Sequence, residues 1–280
     1  MIKNWLRSHA LFGFFVLAFG NGWSGILIIV AATGYRLAAP SLLATGLFFV
    51  LMLLGPSVSG LALTALVDRR TGLRDLWARF LCWKVGVGWF AVALLTAPLL
   101  LFTILLSLSA FSASAYPLQS LWPLLAVGLV AGSFEEIGWT GFATQHLLAR
   151  RSIATAGLLL GLIWALWHAL VVFLVTFGAM GNAWIWTFAI VYLATLTPYR
   201  ILMTWVYANT QSVLLAVLMH ASYTGWLLVL FPTTSPVQSL IWQSAFAAAL
   251  WIAAALVLRK SNRRATDGSS VPAIEREVAG

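Results

Sequence analysis

Residues 158–177 read LLLGLIWALWHALVVFLVTF, an apolar stretch without any Asp, Glu, Lys or Arg. A transmembrane helix needs about 20 consecutive apolar residues, so this stretch alone predicts a membrane span. The whole chain has the same character, because 62% of its 280 residues are hydrophobic and only 8% are charged. Soluble domains carry about 25% charged residues. The composition therefore predicts an all-α polytopic membrane protein and excludes a soluble enzyme and a disordered scaffold. With a single cysteine, Cys82, it also excludes a secreted disulfide framework.

Apolar stretches of sufficient length recur and predict about eight transmembrane helices. They cover residues 11–32, 41–67, 81–107, 118–148, 152–177, 183–208, 211–230 and 238–258. With the N-terminus inside, every Lys and Arg except Arg36 falls in a cytoplasmic segment or near the cytoplasmic end of a span. Such an asymmetry of positive charge sets membrane orientation. We therefore expect a multi-pass protein of the cell (inner) membrane with both termini in the cytoplasm.

The same pattern divides the chain into two parts. Residues 1–258 form the predicted transmembrane domain, with a core at about 55–230. Residues 259–280 form a basic, polar cytoplasmic tail that is predicted to be disordered. Prolines inside spans indicate kinked or broken helices, and they are Pro56, Pro98 and Pro198.

Two adjacent carboxylates lie in the middle of the fourth span. A charge at the bilayer centre costs about 3 kcal/mol, so Glu135 and Glu136 indicate a function. At about 1.5 Å per residue, Glu135 lies roughly 22 Å and His168 roughly 24 Å from the cytoplasmic ends of their helices. His220 lies at a similar depth, so three helices can present these side chains in one layer. Trp164 shares a helix face with His168 and is expected to shield its ring.

The residues around these groups form three motifs. They read EEIGWTGF at 135–142, WALWH at 164–168 and HASYT at 220–224. In this order, on the fourth, fifth and seventh predicted spans, they resemble the CAAX prenyl endopeptidase and bacteriocin-processing (CPBP, Abi) family of intramembrane proteases. That family's pattern is Glu-Glu-x-x-x-Arg, aromatic-x-x-x-His and His-x-x-x-Asn. This sequence departs from it twice, with Thr140 in place of the arginine and Thr224 in place of the asparagine.

The resemblance implies hydrolysis of a peptide bond by an activated water molecule. Glu135, helped by His168, would take the proton from the water, and His220 and Thr224 would hold the developing oxyanion. Glu136 would position Glu135 or anchor its helix. This scheme needs no metal, and we favour it. Because carboxylates and neutral histidines also bind zinc, Glu135, His168 and His220 form an alternative zinc site.

Two other functions remain open from the sequence. A non-catalytic family member could bind a peptide in the same cavity as an immunity protein, and the departures at Thr140 and Thr224 favour this reading. A transporter or proton relay would also place ionisable residues inside the membrane. The expected partners are a peptide or membrane-protein substrate and the lipid bilayer. Nucleic acid is not expected, because the net charge of +9 comes from short loops between spans.

The missing arginine leaves the charge of Glu136 without a partner on its own helix. Arg200 is the basic residue of another span closest to this depth, and the two Cα positions differ by roughly 7 Å along the membrane normal. An arginine side chain can extend over such a distance along its helix. We therefore hypothesise that Arg200 pairs with Glu136. In the alternative arrangement, Arg200 extends to the cytoplasmic headgroups.

Overall fold

The computed structural model describes residues 8–32, 42–112, 116, 121–232 and 234–266, and every regular element within them is helical. The α-helices, in chain order, are α1 (Ala10–Ala32), α2 (Leu42–Val67), α3 (Arg69–Phe80), α4 (Val87–Phe111), α5 (Leu125–Gly138), α6 (Gln145–Leu148), α7 (Ile153–Met180), α8 (Trp184–Thr187), α9 (Ala194–Thr210), α10 (Val213–Val229) and α11 (Pro236–Thr266). Two π turns, Trp139–Thr144 and Phe188–Leu193, join α5 to α6 and α8 to α9. The prediction of an all-α fold is confirmed.

Each predicted span contains a helix. Among the described residues, six helical stretches are long and apolar enough to cross a membrane: Ala10–Ala32, Phe49–Val67, Val87–Phe111, Ile153–Gly178, Gly181–Thr210 and Pro236–Asn262. The other two predicted spans are not among these six. One carries the Glu135–Glu136 pair and continues into the π turn at Trp139–Thr144, and the other, α10, has only 17 residues. The chain is a multi-pass membrane protein, while the count of eight spans stays a prediction.

Two boundaries differ from the prediction. Helix α4 begins at Val87 rather than at residue 81, because the chain is extended at Gly86, immediately before the helix. Helix α11 continues to Thr266, so the first part of the predicted disordered tail is helical. Arginine, lysine and alanine are good helix formers, and cations are favourable near a helix C-terminus. Residues 267–280 of the tail lie outside the described residues.

None of the three prolines breaks its helix. The helices continue through all three, namely Pro56, Pro98 and Pro198. The π turns instead follow the Glu135–Glu136 pair and precede α9. A π turn inserts one extra residue into a helix and is frequent at functional sites.

Helix α3 fixes the loop between the second and third spans against the first π turn. It buries Leu76 and directs Arg79 toward the bundle. The guanidinium of Arg79 donates to the carbonyl oxygen of Gly141 at 3.2 Å and to the hydroxyl of Tyr207 at 2.6 Å. The carbonyl of Gly141 belongs to the π turn, so α3 supplies a donor to backbone that a regular helix would satisfy internally.

Serine caps begin two of the helices that carry the site. The Ser152 hydroxyl accepts from the backbone N–H of Thr155 at 3.2 Å, at the start of α7. The Ser212 hydroxyl accepts from Leu215 at 3.1 Å, at the start of α10. Helix α9 ends just before this second cap, where Gln211 adopts a left-handed conformation with φ of 53°. These local signals fix where the chain reverses.

Glycines allow several pairs of helices to pack backbone to backbone, and two of these pairs hold the four helices that carry the site residues. In the first pair, α5 and α10, a Cβ atom on Gly132 would lie 2.6 Å from the carbonyl oxygen of Val217. In the second pair, α7 and α9, a Cβ atom on Gly161 would lie 2.7 Å from the Cα of Thr197. Contacts this short exclude any side chain, as is typical of small-residue helix interfaces in membranes. We call these units the α5–α10 pair and the α7–α9 pair.

Candidate active site

One tryptophan contacts the predicted site residues of three helices. Trp164 of α7 donates its indole N–H to Glu135 of α5 at 2.8 Å. Its ring centroid lies 5.7 Å from that of His168 and 5.1 Å from that of His220 on α10. Glu135, Glu136 and His220 are buried, while His168 is partly exposed. The structure therefore brings together the carboxylates and both histidines that the sequence placed in one layer.

Glu136 uses both of its carboxylate oxygens in contacts within the protein. The guanidinium of Arg200 donates to Oε2 at 2.8 Å and to Oε1 at 2.9 Å. The hydroxyl of Thr140 donates to Oε2 at 2.5 Å, and Nδ1 of His220 lies 2.8 Å from Oε1. Four contacts with three side chains leave this carboxylate little capacity to bind water. Its arrangement is that of an anchor.

Arg200 is the charge partner of Glu136, as hypothesised from the sequence. Its side chain is 0% exposed, so the alternative in which it extends to the headgroups is wrong. Its guanidinium carbon lies 4.1 Å from the ring centroid of Trp164, a cation–π contact. A buried ion pair is tolerated when further hydrogen bonds and aromatic contacts compensate for lost hydration. Thr140 and His220 supply those further contacts to Glu136.

Glu135 has a different environment from its neighbour. Two indole groups donate to the same oxygen, Oε2: Trp164 at 2.8 Å and Trp139 at 3.2 Å. The other oxygen, Oε1, makes no hydrogen bond to any residue that the structure describes. No cation pairs with Glu135 among those residues. The carboxylate is thus held in one orientation with one oxygen available.

His168 is oriented by a backbone carbonyl. Its Nδ1 lies 2.8 Å from the carbonyl oxygen of Trp164, which can only accept a hydrogen bond, so Nδ1 carries the proton. In the neutral ring, Nε2 then has the free lone pair. Trp167 and Tyr192 pack against the imidazole, with ring centroids at 5.0 Å and 5.3 Å. His168 is therefore arranged to accept a proton at Nε2.

His220 is oriented by Glu136. The carboxylate is held by Arg200 and accepts from Nδ1–H of His220 at 2.8 Å. Nε2 has no hydrogen-bond partner in the described part of the chain. Because Nδ1 carries one proton, Nε2 can donate only when the imidazole is doubly protonated. The predicted oxyanion-binding role thus requires the charged form of His220, for which Glu136 provides a counter-ion.

The two threonines that replace family residues have different contacts. Thr140 is buried and donates to Glu136, next to the guanidinium of Arg200 at 3.4 Å. Thr224 is half-buried, and its hydroxyl makes no hydrogen bond to the described residues. The hydroxyl of Thr224 is thus available to a ligand, whereas that of Thr140 is not.

Sequence reasoning missed two residues of the site. Trp139 lies four residues after Glu135, so helical spacing could have identified it as a donor. Tyr192 contacts His168 from the second π turn, and no local spacing predicts that contact. Trp164 was expected to shield His168. Its ring does pack edge-on against His168, and the contacts that the sequence did not predict are the hydrogen bond to Glu135 and the cation–π contact with Arg200.

The alternative zinc site is not formed. Within the described ranges, no group of three or more His, Cys, Asp or Glu side chains is placed to hold a metal ion. In the trio of Glu135, His168 and His220, Oε1 and both Nε2 atoms are not engaged by other described residues, but the three side chains are not placed around one common metal position. We therefore derive no step through a metal.

Comparison with known proteins supports the resemblance that the motifs carry. Residues 117–226 match the family model described as type II CAAX prenyl endopeptidase Rce1-like. Over 101 residues the chain is 34% identical to CAAX prenyl protease 2 of Methanococcus maripaludis. The family match includes all three motifs, so the resemblance to CAAX prenyl endopeptidases is confirmed for this part of the chain. The alignment with the protease of Methanococcus maripaludis covers 35% of this chain and 37% of the length of that relative.

Proposed function

We propose that this chain, which is similar to CAAX prenyl endopeptidases over residues 117–226, is an intramembrane endopeptidase that hydrolyses a peptide bond with water. The observation that carries the proposal is the arrangement of Glu135. Its carboxylate is buried and oriented by two indole N–H groups, and Oε1 is left without a protein partner. A general base must be able to reach the proton that it removes, and Oε1 meets this condition.

In the proposed reaction, water binds between Oε1 of Glu135 and Nε2 of His168. Glu135 takes one proton as the water oxygen bonds to the carbonyl carbon of the substrate. The developing oxyanion accepts hydrogen bonds from Nε2–H of charged His220 and from the hydroxyl of Thr224. The C–N bond then breaks, and the proton held by Glu135 passes to the leaving amine. The carboxyl product keeps the water oxygen.

The substrate class follows from the position of the site inside a membrane bundle. We propose a peptide or membrane-protein segment whose scissile bond enters the bilayer. A prenylated CAAX tail, as in the name of the matched relative, is one member of this class. The leader peptide of a small bacteriocin and a membrane-embedded segment are the others.

The test is a peptidase assay in proteoliposomes. The probes are a quenched fluorescent peptide that ends in a farnesylated CAAX sequence, the same peptide without lipid, and an apolar transmembrane peptide. We expect Glu135→Gln and His168→Ala each to lower the rate by about 10²–10⁴-fold while expression and detergent stability stay nearly intact. A variant that keeps more than about a tenth of the wild-type rate contradicts a general-base role for that residue.

His146→Ala is the matched control. Nδ1 of His146 lies 2.8 Å from the carbonyl oxygen of Phe142, the same bonding as in His168, but His146 contacts none of the site residues discussed above. Its loss should leave the rate unchanged. A parallel assay with a metal chelator distinguishes the metal-free reaction from zinc chemistry. We expect the rate to persist in the chelator.

Two other functions are outcomes of the same assay. A non-catalytic peptide-binding protein would bind the probes without cleaving any of them. The threonine at position 224 supports a non-catalytic protein. The absence of arginine at position 140 supports it less, because Arg200 supplies a guanidinium to Glu136 from another helix. A transporter would instead show proton or solute flux that depends on Glu135. Either result would overturn the proposed peptidase.

We further propose that both termini face the cytoplasm in the cell membrane, together with α3. The segregation of Lys and Arg to one side supports this orientation. A single cysteine at position 270 in a Cys82→Ser background tests it. We expect labelling by a membrane-impermeant maleimide only after the cells are opened. Labelling of intact cells would contradict the orientation.

A further inference from the structure

Arg200 touches groups that control both carboxylates. Its guanidinium forms a two-point contact with Glu136, at 2.8 and 2.9 Å, and Glu136 orients His220. Its flat face lies 4.1 Å from the ring centroid of Trp164, whose indole N–H donates to Glu135. Arg200 makes no direct contact with Glu135. The side chain that contacts both Arg200 and Glu135 is Trp164.

We infer that Arg200 is a positioning residue for the proposed hydrolysis, and that it has taken over the place of the cation that the motif pattern puts at position 140. The inference rests on the proposed function. One guanidinium on α9 then fixes the oxyanion side of the site through Glu136 and His220. It fixes the general-base side through Trp164 and Glu135.

The chemistry of the guanidinium explains why the residue is an arginine. Its planar fork matches the two oxygens of a carboxylate, and its face stacks on an aromatic ring. Lysine offers a compact point charge and can do only part of this. Without the guanidinium, Glu136 loses its two-point contact and keeps only His220 and Thr140, and the ring of Trp164 loses the group packed on its face. Both His220 and Glu135 are then free to change orientation.

Position 140 is close enough to hold the same group. The hydroxyl of Thr140 lies 2.5 Å from Oε2 of Glu136 and 3.4 Å from Nη1 of Arg200. An arginine at position 140 would reach the same carboxylate once the side chain of Arg200 is removed. With Arg200 still present, two guanidinium groups would compete for one buried carboxylate. The geometry therefore predicts that Thr140→Arg is harmful alone and beneficial with Arg200→Ala.

The experiment measures kcat, KM and the melting temperature of the full chain in proteoliposomes with whichever of the three probes the wild type cleaves. We expect Arg200→Ala and Arg200→Lys to lower kcat by about 100-fold, the usual cost of a misplaced catalytic group, with little change in KM. Thr140→Arg with Arg200→Ala should return kcat to within about tenfold of wild type. Arg150→Ala, which removes an exposed arginine, is the control and should leave kcat unchanged.

A second double variant separates positioning from simple charge balance. Glu136→Gln with Arg200→Ala removes both buried charges, so we expect its melting temperature to recover while kcat stays low. Equal kcat in this variant and in Thr140→Arg/Arg200→Ala would overturn the inference. It is also overturned if Thr140→Arg/Arg200→Ala is no more active than Arg200→Ala, whether it folds or not, or if Arg200→Lys has the kcat of wild type.

Failure of the proposed function looks different from failure of this inference. If wild type cleaves none of the probes, the proposed peptidase is contradicted. The melting temperatures then still test whether Arg200 replaces the cation that the motif pattern puts at position 140. Thr140→Arg/Arg200→Ala must melt above both Arg200→Ala and Thr140→Arg. A double variant that melts no higher than either single variant would overturn the idea that the cation can move to position 140.

Discussion

Glu135 and Glu136 are neighbours in the chain and differ in almost every contact. Glu136 binds a guanidinium, a hydroxyl and an imidazole with its two oxygens. Glu135 receives two neutral indole N–H groups on one oxygen, and no described residue pairs with it as a cation. Successive residues of a helix point about 100° apart, so each side chain faces a different neighbour. The α5–α10 and α7–α9 pairs thus build two environments from one dipeptide.

The difference separates stability from reactivity. A carboxylate whose oxygens are saturated contributes to the fold and has no capacity left to activate water. A carboxylate with one free oxygen is poorly stabilised and can accept a proton. Buried unpaired charge is costly, and proteins retain it mainly where it has a function.

The largest expected effect on stability comes from Glu136. Glu136→Ala leaves Arg200 buried without its partner, so we expect the free energy of unfolding to fall by about 3–5 kcal/mol. Glu135→Gln keeps the shape of the side chain and should change it far less. Denaturant unfolding in mixed micelles measures both variants. Equal destabilisation by the two changes would remove the distinction between anchor and base.

The two threonines provide a second, smaller comparison. Thr224→Val removes an unpartnered hydroxyl, so we expect a rate loss of about 10²–10³-fold with little change in stability. Thr140→Val removes a donor to Glu136 and should cost about 1.5–3 kcal/mol of stability. Peptidase rates and unfolding curves of both variants decide this. Wild-type activity in Thr224→Val would exclude Thr224 as an oxyanion donor.

The smallest effect is expected at Trp139. Trp139→Phe keeps an aromatic ring but removes the weaker of the two donors to Glu135, at 3.2 Å. A hydrogen bond to a charged group contributes about 1.5–3 kcal/mol, and this long bond should lie at the low end, near a tenfold loss in rate. Trp164→Phe, which removes the 2.8 Å donor, should lose more. The reverse order would mean that Trp139 holds the carboxylate.

Much of this arrangement could be predicted from the sequence, because membrane burial makes charge conspicuous. Glu135 and Glu136 stand out as the two acidic residues inside a span, and helix depth places His168 and His220 beside them. The ion pair of Arg200 was one of two arrangements that the same reasoning left open, because depth alone also allowed Arg200 to extend to the headgroups. The structure distinguishes between them.

The missed features depend on tertiary packing. A π turn changes the direction of every following side chain by roughly 100°, and no residue type in Trp139–Thr144 or Phe188–Leu193 encodes it. The contact between Tyr192 and His168 follows from such a turn and was therefore not predictable. The unequal contacts of the two carboxylates also depend on which helices pack against each face of α5. The hydropathy of the sequence does not show which helix packs against which face of α5.

The glycine-mediated helix pairs differ from the joint between them in the kind of contact that holds them together. Within each pair the two backbones touch at glycines, with no side chain between them. Between the pairs, the joint near the site consists of side chains: Arg200 on Glu136, Trp164 on Glu135, and the Tyr199 hydroxyl on the carbonyl oxygen of Met219 at 2.6 Å. The four helices around the site thus form two closely packed pairs that polar side chains hold together. A substitution among these polar side chains should therefore loosen the joint that contains Glu135 while each pair stays closely packed.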